Sequence, residues 1–576
     1  MKSRPRSPRK IIDRFLKVTE RSPHSDRLLL RLGFFISIGI GVWFIFAINQ
    51  QYTDIAPTQG GSITEGIVGT PRFINPVLAA TRADQDVTAL VYSGLLRIDA
   101  TGSLQNDLAE SITLSDDGLV YNIVLRRDVQ FHDGTPLTAR DVAYTYRLIQ
   151  DPDLKSPLRG NWTDVVIEEI SEYELNVILE EAYAPFVENF TTGIMPAHAW
   201  SRLPIEQLPF SQLNTEPIGT GAFKVTGAER NTSGIITHYS LSAHRNVYQN
   251  PKLDALELVF FSNEADLLSA LELETIDATA YVSPENMTAV LAEEYQLITE
   301  PLPRTFGVFF NQNRSPALRD NVVRSALTVM INRDEIIETA LYGYGVPISR
   351  PTVFESPALE LADSDGDTAS GTPIEQATAI LEAGGWTQTE AGGWEKEIDD
   401  TDVMLEVTIR TSNATVFEAM IDSIAAQWES LGVNIITEQF EQTSLTQSVI
   451  RPRDFEALLF GLDLSRSYDL YPFWHSSQQS DPGLNIAQYT NVTVDDLLTS
   501  ARLEPNESER QTILAQASNI ISKEKPAIFL AQPSMIYLVK DTITVTPMNN
   551  LGRPANRFSN IADWHSESES LWPLFR

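Results

Sequence analysis

Residues 108–146 read LAESITLSDDGLVYNIVLRRDVQFHDGTPLTARDVAYTY, and their pattern decides the fold class. Ser111 to Leu114 and Leu119 to Leu125 alternate apolar and polar residues around Asp116-Asp117-Gly118, which predicts a hairpin closed by a turn. Val129-Gln130-Phe131 reads as a further short strand, followed by a second turn at Asp133-Gly134. Thr138 with Asp141 three residues on then resembles a capping box, opening a helix with Val142, Tyr146 and Ile149 on one side. The apolar period thus changes from 2 to 3.6 within one stretch, so strands and helices must share a core.

The same alternation of element types extends outward. Ser62 to Val68 reads as a strand between Gly60-Gly61 and Gly69-Thr70-Pro71, Asp84 to Leu96 as a helix running into short apolar chain, and Val165 to Leu179 as strand. Downstream, Val323, Ala326, Leu327 and Met330 form one buried stripe on a helix over Arg319–Ile331, and Asn332 to Glu335 caps a second that stops near Gly343. Helices are expected at Pro373–Ala383 and Phe417–Leu431, separated by a strand at Val403–Arg410. Mixed elements spread over so long a chain predict an α/β assembly of two lobes.

The 576 residues are 42% apolar and 9% aromatic, enough for several domains and incompatible with a disordered or collagenous chain. Absence of cysteine removes disulfides, zinc ribbons, iron–sulfur clusters, thiol catalysis and a lipidated N-terminal cysteine. The seven histidines are scattered, with no H-E-x-x-H and no i, i+4 pair, and no cofactor is expected. Charge is partitioned: residues 1–31 carry ten Lys/Arg against three acids, while the whole chain has a net charge of −34. So acidic a body repels phosphate backbones and is not expected to bind nucleic acid.

Leu32 to Ile48 (LGFFISIGIGVWFIFAI) contains no charge, and the uncharged run extends to Tyr52. Roughly twenty such residues cross a bilayer core. With the basic flank before it, residues 1–31 are expected to be a cytoplasmic tail, 32–52 a single transmembrane helix, 53–60 a linker, and the body extracytoplasmic. A cleaved signal peptide is the alternative; the long basic region and the lack of an A-x-A site after Ile48 weigh against it.

No phosphate loop, dinucleotide fingerprint or G-x-S-x-G occurs, and with 77 carboxylates no acid pair stands out. His132-Asp133-Gly134 reads as turn chemistry, and Gly219-Thr220-Gly221 as a close approach to a strand rather than a phosphate cradle.

Several segments, in order, carry a resemblance: GGSITEGIVGTPRFINPVLA (60–79), YSGLLRID (92–99), the 108–146 stretch, MPAHAW (195–200), PIGTGAFKV (217–225), FFNQN with ALRDNVVRSALTVMINRDEII (309–337), LEAGGW (381–386), LGVNI (431–435), PFWHSSQ (472–478) and VDDLLTSAR (494–502). Across about residues 60–540 the chain resembles the family 5 extracellular solute-binding proteins, the peptide, dipeptide and nickel receptors of ABC importers. The resemblance implies a periplasmic-binding-protein-like fold of two α/β lobes closing over ligand. It places lobe I at 61–104 and 195–303, an inserted subdomain at 105–194, lobe II at 304–530, and a C-terminal return to lobe I at 531–576. It implies no enzyme activity, a permease and an ATPase as partners, and a peptide as ligand. A sensory or scavenging binder without a transporter, or an extracytoplasmic hydrolase, are the competing readings.

In relatives that take up peptides, an Asp following a G-W pairs with the ligand α-amine. Here the matching stretch is Phe460-Gly461-Leu462-Asp463-Leu464-Ser465-Arg466-Ser467-Tyr468-Asp469, with Leu462 in place of Trp and the acid at Asp463 or Asp469. Read from its residues alone, Phe455 to Leu464 is an apolar strand ending in a polar loop, and an open strand edge can pair with an extended peptide. Asp463 is the first choice for the amine and Asp469 the second; both can equally be turn acids. Arg466 and Tyr468 belong to the same loop, and Trp474 either stacks on ligand or packs in the core.

Overall fold

The computed structural model describes residues 29, 32–44, 54–245, 250–290, 294–351, 371–546 and 548–571. Two units are distinguished, one of residues 1–59 with 567–576 and the other Gly60–Ser566. In the first, residues 32–44 are helical with exposed apolar side chains such as Phe35 and Trp43, and Asp54–Pro57 pairs antiparallel with Ser568–Leu571. Among the described residues no helix is long and apolar enough to cross a membrane. The basic tail up to residue 28 and residues 45–52 of the expected span lie outside the described residues.

The body is organised on a mixed sheet of twelve strands. From one end its order is Asn434–Phe440, Glu406–Ser412, Ala457–Asp463, Arg304–Phe310, Ala527–Lys540, Ala278–Thr279, Ser62–Val68, Ala255–Phe261, Ile236–Ala243 and Phe223–Arg230. Ala527–Lys540 belongs to both lobes. Its first half pairs with Arg304–Phe310, and its second half pairs with Tyr295–Pro301 and Ala278–Thr279.

In the second lobe both sheet faces are covered, and the period of two shows it. Phe306, Val308, Phe310, Ala457, Leu459, Ile528 and Leu530 join one core, whereas Phe309, Leu458, Leu462, Ala527 and Phe529 join the other. The helices Asn321–Met330 and Thr415–Glu429 cover the first face with the stripe read from sequence.

The 108–146 stretch folds as expected in outline. Ala109–Leu114 and Val120–Leu125 form the hairpin, and Glu174–Ile178 and Val166–Ser171 complete a four-stranded sheet. Thr138 and Asp141 form the capping box of the helix Ala139–Gln150, whose Val142, Tyr146 and Ile149 are buried. Val129–Phe131 is held only by a single bridge from Gln130 to Pro136. The expected strand Val165–Leu179 is a tight hairpin, since Glu172-Tyr173 turn the chain back. The expected strand Val403–Arg410 is interrupted at Leu405, whose N–H is drawn to the Trp394 carbonyl at 2.8 Å.

The expected helix Asp84–Leu96 instead spans Arg82–Val91. Thr81 caps it by accepting from the Asp84 N–H, and it stops because Gly219-Thr220-Gly221 occupies its end. The Gly221 N–H donates to the Val91 carbonyl at 2.8 Å. A Cβ on Gly219 would lie 2.0 Å from the Val91 oxygen, and one on Gly221 2.5 Å from the Leu90 oxygen. The two glycines therefore serve backbone contact.

Lobe I holds a buried charge cluster. Arg557, 0% exposed, donates to Glu65 at 2.8 Å and to both Asp86 oxygens at 2.9 and 2.7 Å. Tyr537 donates to Glu65 at 2.9 Å and Tyr281 to Asp86 at 3.0 Å. These contacts tie the first strand, the helix Arg82–Val91, the shared strand and the C-terminal segment together.

Candidate functional site

The chain crosses between lobes at two adjacent places. Leu302 N–H donates to the Pro533 carbonyl at 2.9 Å, and the Gln532 side chain donates to the Leu302 carbonyl at 2.7 Å. Next to this crossing, Ala457–Asp463 runs antiparallel to Arg304–Phe310 along its whole length, Arg304 opposite Asp463. Its other neighbour, Glu406–Ser412, pairs only at Ile409 with Ala457 and Arg410 with Leu458. The Thr411 hydroxyl donates to the Leu459 carbonyl at 2.9 Å, and among the described residues no strand accompanies this edge further.

Leu464 N–H donates to the Pro303 carbonyl at 2.8 Å, so even-numbered residues face Arg304–Phe310 and odd-numbered ones face away. Backbone groups of Gly461 and Asp463 therefore lie on the open edge. Gly461 is required there: a Cβ would stand 2.8 Å from the Phe306 ring.

The residues expected at the site divide into three kinds. Phe460 and Gly461 are half-buried parts of the strand, and Asp463 ends it with a side chain 62% exposed, 3.6 Å from Arg304. Leu462, Leu464, Tyr468 and Trp474 are buried in the lobe II core; Trp474, 1% exposed, lies among Phe309, Tyr489 and Phe529. Arg466 and Asp469 reach across to Gly102, Tyr183 and Glu188, far upstream in the chain. Arg466 pairs with Glu188 through both carboxylate oxygens and donates to the Gly102 carbonyl.

Asp469, whose side chain is 9% exposed, accepts from Arg502 at 2.6 and 2.9 Å, from the Tyr183 hydroxyl at 3.1 Å and from the Tyr471 N–H at 3.0 Å. Arg502 also lies over the Tyr471 ring at 3.8 Å. Its acceptor capacity is used within the protein, whereas that of Asp463 is largely open.

Sequence reasoning missed Tyr183, Glu188, Arg502 and Arg553: Tyr183 and Glu188 lie 286 and 278 residues from their partners, Arg502 closes the VDDLLTSAR segment 33 residues from Asp469 with nothing local to link them, and Arg553 lies outside any motif. For Arg553 a local signal existed, since the following Pro554 marks the start of a helical turn. Its side chain is open to solvent; desolvation by the surrounding protein lowers its pKa, while the charges of Asp463 and Asp86 raise it, and the guanidinium stays charged.

His132 is half-buried, accepting from the Gly219 N–H at Nδ1 (3.3 Å) and donating from Nε2 to the Gly221 carbonyl (3.1 Å). Burial pulls its pKa down to about 4, so it is a neutral structural group. Among the described residues no group of three or more His, Asp or Glu is placed to hold a metal.

Asp107 is a second perturbed group. Burial pushes its carboxyl up to about 7, against the pull of Arg97 and a hydrogen bond from Ser93. Unfolded Asp titrates near about 4, so between these values the folded state holds the extra proton and stability falls as pH rises. Asp107→Asn, which keeps the neutral shape, is expected to flatten the fall in Tm between about pH 4 and 7, worth a few kcal/mol. A parallel Tm-versus-pH curve for variant and wild type would contradict this.

Residues 103–482 match the bacterial extracellular solute-binding proteins, family 5. The chain belongs to this family. It is 27% identical over 487 residues to the oligopeptide-binding protein AppA of Bacillus subtilis, covering 83% of this chain and 87% of that one. The solved structure of that AppA with a nonapeptide superposes with a TM-score of 0.63 at 24% identity, covering 88% of this chain and 99% of the other. The substrate-binding protein CtaP of Listeria monocytogenes gives a TM-score of 0.71 at 23% identity, covering 88% and 100%. These superpositions establish the two-lobe α/β binding-protein fold.

Proposed function

We propose that this protein is the membrane-anchored, extracytoplasmic receptor of an ABC importer, capturing peptides between its lobes and delivering them to a permease driven by an ATPase. The observation that carries the peptide reading is the open edge of Ala457–Asp463, ending in an exposed carboxylate at the interlobe crossing. An extended peptide can add its backbone along Gly461–Leu464, with its α-amine at Asp463. Binding needs no covalent step, and the protein acts without catalysis.

In this reading lobe I comprises 61–104 and 195–303, the inserted subdomain 105–194, lobe II 304–530, and residues after 531 return to lobe I. Anchoring is supported by the uncharged run from Leu32 to Tyr52 behind a basic tail, and by the exposed apolar helix at 32–44. The tail then lies in the cytoplasm and the body outside.

Ligand that binds the closed state stabilises it by mass action. Peptide at about 100 times its Kd is expected to stabilise the body by roughly 2.7 kcal/mol, read as a raised Tm. Small-angle scattering should show the radius of gyration falling as the lobes close. An unchanged radius at saturation would remove lobe closure from the mechanism.

A further inference from the structure

A cavity of about 140 Å³ lies where lobe I meets the inserted subdomain, and no residue of lobe II lines it. Its wall includes Thr88, Tyr92, Arg97, Asp107, Arg553 and Asn556. Two features set it apart from an ordinary packing defect. The hydroxyls of Tyr92 and Thr88 are buried and have no hydrogen-bond partner among the described residues, and Tyr92 is only 5% exposed. Buried polar groups left this way are rare and destabilising unless something else bonds them. Arg553, open to solvent beside the cavity, forms no ion pair or side-chain hydrogen bond among the described residues, whereas Arg557, four residues on, is held by Glu65 and Asp86. Arg97, by contrast, is engaged with Asn560.

We infer that Arg553 and the cavity beside it form a carboxylate subsite that takes an acidic side chain of the bound ligand. The inference rests on the peptide reading above and adds a preference to it. The guanidinium supplies the charge-assisted pair, and the Tyr92 and Thr88 hydroxyls supply further donors to the same group. Asp463 is near enough for its charge to act on Arg553. With the α-amine at Asp463, a carboxylate at Arg553 belongs to a residue close to the peptide N-terminus. The C-terminus of an oligopeptide lies too far along the chain.

Calorimetry with the full-length protein tests this with three peptides: Ala-Glu-Ala-Ala amide, Ala-Gln-Ala-Ala amide, and Ala-Gln-Ala-Ala with a free C-terminus. The wild type should bind the Glu peptide about tenfold or more tightly than either Gln peptide. Arg553→Met should bring that ratio near one while leaving the Gln peptides almost unchanged, and Tyr92→Phe should reduce it several-fold. If Tyr92→Phe alters stability alone, Tyr92 has no part in the subsite. Equal affinities in the wild type, or a ratio that survives Arg553→Met, would overturn the subsite and leave the peptide reading standing. Recovery of the lost affinity by the free C-terminus would overturn the side-chain assignment. If no peptide binds, the peptide reading fails, and millimolar glutarate then decides: a rise in Tm for wild type but not for Arg553→Met supports the carboxylate subsite, and no rise overturns it.

Discussion

Asp463→Asn is expected to weaken peptides with a free α-amine by 30-fold or more, while N-acetylated peptides change little. Losing the partner of a desolvated ammonium costs about 2–5 kcal/mol, some 30-fold to a few thousand-fold in affinity. Asp463 is largely exposed in this structure, so solvent screening sets the effect at the lower end unless closure dries the site. Asp469→Asn is the informative control. Arg502, Tyr183 and the Tyr471 amide already fill the Asp469 carboxylate, so its loss should leave the ratio of free to acetylated peptide unchanged. Equal ratios for Asp463→Asn and wild type would remove Asp463 from the role. A changed ratio in Asp469→Asn alone would mean that Arg502 releases Asp469 when ligand arrives.

Arg557→Met is expected to produce the largest loss of stability. The substitution leaves Glu65 and Asp86 in the core with hydroxyl donors and only the more distant charge of Arg82, without the guanidinium that hydrogen-bonds both. Breaking one buried pair by removing a single partner costs about 3–5 kcal/mol, and here two carboxylates lose theirs. Burial already raises the Glu65 pKa, with Arg557 the main opposing influence, so the variant should recover part of its stability as pH falls and the acids protonate. Because the cluster is fully buried, added salt should hardly change the loss. Urea unfolding of the body reads it directly. A difference below about 1 kcal/mol would show that the cluster is worth no more than a surface pair.

Much of the architecture was legible because it is local. The hairpin at 109–125 and the helix capped at Thr138 depend on residues within a few positions of each other, as does the Asn332 cap, which accepts from the Glu335 N–H. What could not be read is non-local. Nothing near Ala527–Lys540 says that its halves pair with different lobes, and nothing near Arg557 says that Glu65, 492 residues away, is its partner. The site shows the same division. The strand ending at Asp463 was visible as an apolar run, whereas the engagement of Asp469 depends on Arg502 and Tyr183, brought in by folding. Trp474 illustrates the limit for single residues, since an aromatic in a loop motif reads alike whether it meets ligand or, as here, core neighbours.

The shared strand also constrains how the protein is made. Ala527–Lys540 is the central neighbour of Arg304–Phe310 on one side and of Ala278–Thr279 and Tyr295–Pro301 on the other, and its own Tyr537 helps enclose Arg557. A chain without this one strand thus has neither side of the sheet complete. Both cores wait on the same segment, so their closure is one coupled event rather than two successive ones.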